Sequence, residues 1–267
     1  MNDLVLSIDK KLGWPYRVRH YSILIWHLVK RDFHLKHTGS ALGVLWSLLV
    51  PLAQLCVLSF TFGSILRVDI EDFPAFVFSA LLPWTWFTNS LSSASTLFFN
   101  HRDLVRRPAF PPVTLVLVNT LSHLITFIIS LPLLYGILCW YGRFVLWNPL
   151  PLLSLLAIQA VLIVGLSLMV ATWNVFYRDV AQLVGIGLSL LFFLTPIFYR
   201  PIVANEYLAL LALNPLVPLI TAYRVVLLDG AEPVWSSLGQ TAAISALICG
   251  LGYWTYRSLE PDLVDRI

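Results

Sequence analysis

Charge is scarce in this chain. Of its 267 residues only 12% are Asp, Glu, Lys or Arg, while 58% are apolar. A soluble domain carries about 25% charged and about 45–50% apolar residues, so the deficit excludes a water-exposed surface over most of the length. Cysteine is scarce too. Cys56, Cys139 and Cys249 each lie in an apolar stretch and no two share metal-ligand spacing, which leaves small packing residues as their reading. No Gly-Lys pair occurs anywhere, so a phosphate-binding loop of the form GxxxxGK[ST] is missing. Neither HExxH nor GxSxG is present. Basic residues outnumber acidic ones only 17 to 14, which gives no reason to invoke nucleic acid.

What is present is a series of long apolar runs. Six contain no Asp, Glu, Lys or Arg: 41–66, 73–99, 113–141, 150–176, 180–199 and 236–256. About 20 predominantly apolar residues cross a bilayer as a helix, and open strand edges do not survive in lipid. The fold expected is all-α and integral to the membrane, with six transmembrane helices. Pro51, Pro83, Pro132 and Pro196 fall inside runs and predict kinks or breaks rather than ends. The first run starts near Ala41, after seven basic residues, unlike a secretory leader. Six spans with an inner N-terminus place both termini inside. Thirteen basic residues then lie inside, and only Arg67, Arg143, Arg200 and Arg224 outside, as the positive-inside rule requires.

Two segments stand apart. In 17–36, Val18, Tyr21, Ile25, Leu28 and Leu35 share one helical face, and His20, His27, Lys30, Arg31 and His34 the other. This pattern predicts an amphipathic helix in the cytoplasmic interface, its basic face toward anionic headgroups. In 200–235, apolar pieces near 207–213 and 216–228 are each short for a span. They predict two short re-entrant outer helices; one additional span is the alternative.

The spans hold no carboxylate, amine or guanidinium, whereas ion-coupled transporters place such groups at membrane depth. His123 is the titratable side chain deep in a span, and a packed, hydrogen-bonded histidine is the expectation. His20, His27 and His34 recur at seven-residue spacing, about 10.5 Å per step along a helix, too far to share one metal ion. The acidic loop with Asp69, Glu71 and Asp72 reads as solvated. The loop 100–112 carries Arg102, Asp103, Arg106 and Arg107 before Pro108 and Pro111-Pro112, and reads either as an ordinary basic loop or as a docking element for a cytoplasmic partner. Trp140, Tyr141, Trp147, Trp235, Trp254 and Tyr256 suit interfacial belts. Trp84, Trp86, Phe87, Phe98 and Phe99 share a run with Asn89 and several serines, and Tyr177, Phe192, Phe193, Phe198 and Tyr199 flank or occupy the fifth run. Rings pack on the C–H faces of sugars while hydroxyls and amides exchange hydrogen bonds, so these residues suit the lining of a glycan path; helix packing is the competing explanation.

Four segments in this order resemble the membrane permease of type-2 ABC exporters for O-antigen, capsular polysaccharide and teichoic acid. They are Arg31-Asp32-Phe33 through Gly39-Ser40-Ala41-Leu42-Gly43 to Pro51; Leu81-Leu82-Pro83-Trp84 with the basic loop to Pro111; Asn174 through Arg178-Asp179-Val180 to Thr195-Pro196-Ile197-Phe198-Tyr199; and Leu213-Asn214-Pro215-Leu216 with Arg224. The resemblance implies two copies of this chain in a bacterial inner membrane, each docking a separate ATPase subunit that binds ATP and Mg. It implies no cofactor, metal or catalytic residue in the chain itself. Residues 100–110 become the coupling helix, with Arg31, Asp32, Arg102, Asp103, Arg106 and Arg107 facing the ATPase. Spans one and five of opposing copies line a lateral opening for a lipid-linked polysaccharide, with Trp84, Trp86, Phe87, Asn89, Phe98, Phe99, Tyr177 and Tyr199 along its path. A drug or small-lipid exporter of the same fold is the alternative, and an ion-coupled secondary transporter a more distant one.

Overall fold

A computed structural model describes residues 14–37, 43, 45–107, 110–200 and 214–267. The expected short helix near 207–213, the turn at 39–42 and Pro108-Ala109 lie outside the described residues. Every regular element described is helical: α1 Trp14–His37, α2 Leu45–Leu58 continued by a π-helical stretch Ser59–Ile65, α3 Phe73–Ser95, α4 Leu97–Asn100, α5 Arg102–Val105, α6 Val113–Trp140, α7 Pro149–Phe176, α8 Val180–Leu194, α9 Leu216–Leu228 and α10 Trp235–Arg266.

Among the described residues, three helices are both long and apolar enough to cross a membrane: Leu45–Ile65, Val113–Trp140 and Pro149–Phe176. The other runs depart from simple spans for physical reasons. α3 ends at Ser95, four residues before the run does, and Thr96 leaves helical geometry at φ −106°. A serine hydroxyl there bonds back onto the helix, Ser95 donating to the Ser92 carbonyl at 2.6 Å. Such back-bonding competes with the helical ladder. α8 has 15 residues and stops at Leu194, a rise of about 22 Å against a hydrocarbon core of about 30 Å. Thr195 is extended, at φ −104° and ψ 131°, because the ring of Pro196 disfavours the α conformation in the residue before it. Pro196 therefore ends its helix, whereas Pro51, Pro83 and Pro132 sit inside theirs. α10 runs ten residues past the apolar stretch, to Arg266.

α3 is the hub. It packs against α2, α6, α7, α8 and α9, and from Phe73 to Phe87 nearly every side chain is buried. A helix apolar all round belongs in a core. α7 and α10 make the most extensive helix pair. A Cβ on Gly165 would stand 2.6 Å from the Cys249 backbone, and one on Gly252 would stand 2.2 Å from the Gly165 carbonyl oxygen. Only glycine permits this backbone approach.

The chain alternates in direction. Leu97, Phe98, Val105, Leu115, Val175, Tyr256 and Leu263 gather in one apolar cluster beside the charged loop, which we term the basic end. At the opposite end Arg143 pairs with Asp72 at 2.6 Å, and Trp147 Nε1 donates to the Leu227 carbonyl at 3.0 Å. Gly230, at φ 62°, turns the chain there; a Cβ would meet Val145 at 2.9 Å.

Candidate functional site

A ladder of rings connects α2, α3 and α8. Trp84 on α3 meets Phe192 on α8 with centroids 5.7 Å apart. Phe192 meets Phe198 at 5.7 Å, and Phe198 stacks on Phe62, in the π stretch after α2, at 4.7 Å. Phe62 lies 6.4 Å from Phe73, and Phe73 the same distance from Phe76. Phe76 ends the ladder under the guanidinium of Arg224, 3.7 Å from its ring centre. These separations fit offset and edge-to-face ring contacts, each worth about 0.5–1.5 kcal/mol beyond burial. Phe193, Phe198 and Tyr199 cluster beside it, and the Tyr199 hydroxyl donates to the Phe193 carbonyl at 3.1 Å.

On the other side of Trp84, a cavity of about 280 Å³ opens between α2, α3 and α6, lined by Trp46, Gln54, Trp84, Trp86, Asn89 and His123 among others. A hydrogen-bonded polar network lies behind this lining and reaches it at His123. Asn119 Nδ2 donates to the Ser90 carbonyl at 2.9 Å, and the Ser93 hydroxyl donates to Asn119 Oδ1 at 2.7 Å. His123 Nε2 stands 3.1 Å from the same hydroxyl. One consistent proton arrangement runs from a neutral His123 carrying Nε2–H, through Ser93, to Asn119. Trp86 donates its indole N–H to the Thr120 carbonyl at 3.1 Å. Gln159 on α7 donates to the Pro83 carbonyl at 2.8 Å. Most of this polarity is thus hydrogen-bonded, as membrane-depth groups need to be.

At the basic end, α5 turns Val105 into the apolar cluster and leaves Arg102, Asp103, Arg106 and Arg107 exposed. α1 packs on α6 through Val29, which is buried, with Ile25 and Leu28 half-buried. Val29 joins Ile25 and Leu28 of the stripe read from sequence, the side chains of Val18, Tyr21 and Leu35 lie outside the described residues, and Trp26 is exposed. His27, Lys30, Arg31 and His34 are exposed, while Asp32 is half-buried. Arg31 and Asp32 line a small cleft shared with His101 and Leu104, so α1 and the charged loop are neighbours. Arg266 lies over the Phe176 ring at 4.8 Å and Arg178 over Phe99 at 5.9 Å.

At the opposite end a cavity of about 290 Å³ is walled by Glu71, Asp72, Phe76, Arg143, Arg200, Thr221, Arg224 and Asp229 among others. Arg224 is 7% exposed and donates from Nη2 to the Ile197 carbonyl at 2.6 Å. Its Nε is buried without a partner. Burial, and then the charge of Arg200, pull its pKa down to about 9, which still leaves a cation at neutral pH.

The model of the ABC-2 type transporter family matches residues 23–228. The chain belongs to that family. The match covers α1 from Ile23 onward and every element through α9, so it takes in the ladder, both cavities and the charged loop. The chain is also similar to the O-antigen export system permease protein RfbA of Myxococcus xanthus, 30% identical over 92% of this chain and 96% of that protein. A Klebsiella pneumoniae protein of the same name is 26% identical, over 82% and 85% of the two chains. The polysialic acid transport protein KpsM of Escherichia coli is 24% identical, over 89% and 93%. Membership in a membrane transporter family accords with the long apolar helices.

The residues singled out from sequence fall in separate places on this family member. Trp84, Trp86 and Asn89 share the polar cavity. Phe87 packs inward on Trp84 at 5.9 Å. Phe98 is buried in the basic-end cluster against Tyr256 at 6.5 Å, Phe99 is half-buried nearby and Tyr177 is exposed. Tyr199 stands at the far end beside Phe198. Sequence reasoning missed Phe62, Phe73 and Phe76 as ladder members, and noted Arg224 without a role. Rings more than ten residues apart carry no linear signal of contact.

Proposed function

We propose that this chain is the membrane-spanning half of an ATP-driven exporter of lipid-linked, cell-surface polysaccharide of the O-antigen or capsule type. Two copies sit in a bacterial inner membrane with both termini cytoplasmic, and each docks one ATPase subunit, which binds ATP and Mg. Six helices cross the bilayer, with α1 in the cytoplasmic interface and 200–235 re-entrant from outside. The observation that carries this reading is the near end-to-end similarity to permeases named for O-antigen and polysialic acid export.

In this reading each part has a task that the geometry supports. The exposed charges of Arg102, Asp103, Arg106 and Arg107, beside Arg31 and Asp32, form the docking surface. Val105 roots that surface in the apolar cluster, so a push on the loop is passed to α4, α7 and α10. The faces of α2 and α8 left open in the single chain, with Trp46, Phe60, Leu183, Ile186 and Leu190 exposed, border the lateral opening. The ring ladder and the polar cavity flank Trp84 and give a sugar chain stacking surfaces and hydrogen-bonding groups.

Deleting the chain from its host is expected to remove the surface polysaccharide while its lipid-linked form accumulates at the inner leaflet. Unchanged surface polysaccharide with lost efflux of a drug or small lipid would move the assignment to the other branch of exporters. Replacing Arg106 and Arg107 together with Glu is expected to abolish co-purification with the ATPase while the chain still inserts. Undiminished co-purification removes the docking role of that loop.

A further inference from the structure

Of the three guanidinium groups on the cavity at the end opposite the charged loop, Arg200 and Arg224 have no carboxylate paired to them among the described residues. Arg224 is buried, its Nε without a partner. Arg200 lies 5.7 Å from the centre of the Phe76 ring that also carries Arg224, and Arg200 is exposed. The acids on the wall are engaged elsewhere or stand off. Arg143 holds Asp72 at 2.6 Å and Glu71 at 3.6 Å, and Asp229 makes no ion pair among the described residues. The wall is formally neutral, but two of its three acids sit on Arg143, while the arginine pair around Phe76 makes no ion pair among the described residues. A buried guanidinium beside a like charge is costly unless an anion meets it. Planar guanidinium forks match phosphate oxygens in particular.

We propose that Arg224 and Arg200 form a binding site for the phosphate group of a membrane-anchored phosphoester. Arg224 is the fixed, buried contact, held by the Ile197 carbonyl and the Phe76 face. Arg200 is the exposed contact, and Thr221 lies on the same wall. The ring ladder that starts at Trp84 ends on this pair, so an anionic head seated here has its apolar or sugar portion beside aromatic surface. The site rests on the export reading only in placing this end of the bundle at the outer leaflet. The phosphate belongs either to a diphosphate-linked lipid or to an ordinary phospholipid headgroup.

The test uses the purified full chain in detergent and equilibrium binding of radiolabelled farnesyl diphosphate. Farnesyl diphosphate is expected to bind, and neutral farnesol is not expected to displace it. Arg200→Gln should weaken binding about tenfold, the loss of one charge-assisted hydrogen bond, and Arg224→Gln by more. Arg200 is exposed, so its variant stays informative if Arg224→Gln fails to fold, which thermal melting reports. Displacement by dihexanoyl phosphatidylglycerol at the same concentration supports the site and assigns it to phospholipid headgroups; failure of that lipid to compete supports it and assigns the diphosphate-linked lipid. Equal affinity of the wild type and Arg200→Gln overturns the proposal, as does displacement by farnesol. Inorganic phosphate binding as tightly as farnesyl diphosphate overturns the membrane-anchored part. Binding by the isolated chain involves neither ATPase nor polysaccharide, so a negative result here leaves the export reading standing.

Discussion

α7 and α10 approach until their backbones touch, while α8 buries none of its side chains within the chain. Both are apolar, and composition does not separate them. What separates them is where the small residues fall. Gly165 and Gly252 face each other across a crossing with no room for a Cβ, whereas a Cβ on Gly185 or Gly187 of α8 meets nothing within 4 Å. In lipid there is no hydrophobic drive between helices, so close packing and polar contacts decide which pairs hold. α7 and α10 belong to a body fixed by the chain itself. α8 is joined to that body through the half-buried Val184, Leu188 and Leu191 and the ring of Phe192, and its outer face stays available to lipid or to a second copy.

The strongest way to break this contrast is to fill the crossing. Gly252→Val is expected to prevent α7 and α10 from meeting, at about 3 kcal/mol or more since overpacking of 1–3 kcal/mol assumes that side chains can yield, and here the obstacle is backbone. The readout is the fraction recovered monodisperse after detergent extraction. Gly187→Ala on α8 should leave that fraction unchanged and raise the melting temperature slightly, because Ala exceeds Gly as a helix former by about 0.8–1 kcal/mol. Equal damage from both substitutions would erase the distinction between the two helices.

The next test sharpens the join between α8 and the body. Trp84→Ala removes the ring that spans from α3 to Phe192 and is expected to cost about 3 kcal/mol. Trp84→Phe keeps a ring and should cost much less. A double-mutant cycle with Phe192→Ala should return a coupling of about 0.5–1.5 kcal/mol. If the cycle shows no coupling, the rings do not hold α8 to the body.

The boundary between what could and could not be read from the residues follows the same contrast. The charge-free runs 113–141 and 150–176 coincide with α6 and α7 to within a residue, because a long charge-free apolar stretch allows one local answer even with Pro132 inside the first. Pro196 looked like Pro51, Pro83 and Pro132 in sequence, yet it alone of the four ends a helix. A proline's effect at depth depends on which neighbours satisfy the freed carbonyls, and linear sequence does not show them. The serine-rich end of α3 was visible as a polar stripe, but its break at Thr96 was not. At the site, Trp84 and Asn89 were legible as an aromatic-polar pair. Trp84, Trp86 and Phe87 are all buried in the core, and which of them also reach the cavity, Trp84 and Trp86, is set by tertiary packing. Phe62 was illegible as a partner of Phe73 and Phe198, since their meeting depends on the tertiary placement of the π stretch after α2.

The smallest expected effect concerns the surface of the body. Arg143 joins the start of α3 to the loop after α6 through Asp72 and Glu71, with its own side chain 37% exposed and that of Glu71 88% exposed. Exposed pairs contribute about 0–1 kcal/mol, so Arg143→Gln should lower the melting temperature of the detergent-purified chain only slightly. Asp72, which adopts a left-handed φ of 49° at the N-terminus of α3 without capping it by its side chain, gives the pair its single well-placed contact. Most of the effect should therefore be reproduced by Asp72→Asn and little of it by Glu71→Gln. Raising the salt concentration should shrink the difference from wild type further, because screening acts on exposed pairs within about one Debye length. A loss in Arg143→Gln as large as that in Gly252→Val would mean that the loops, and not the glycine crossing, hold the body together.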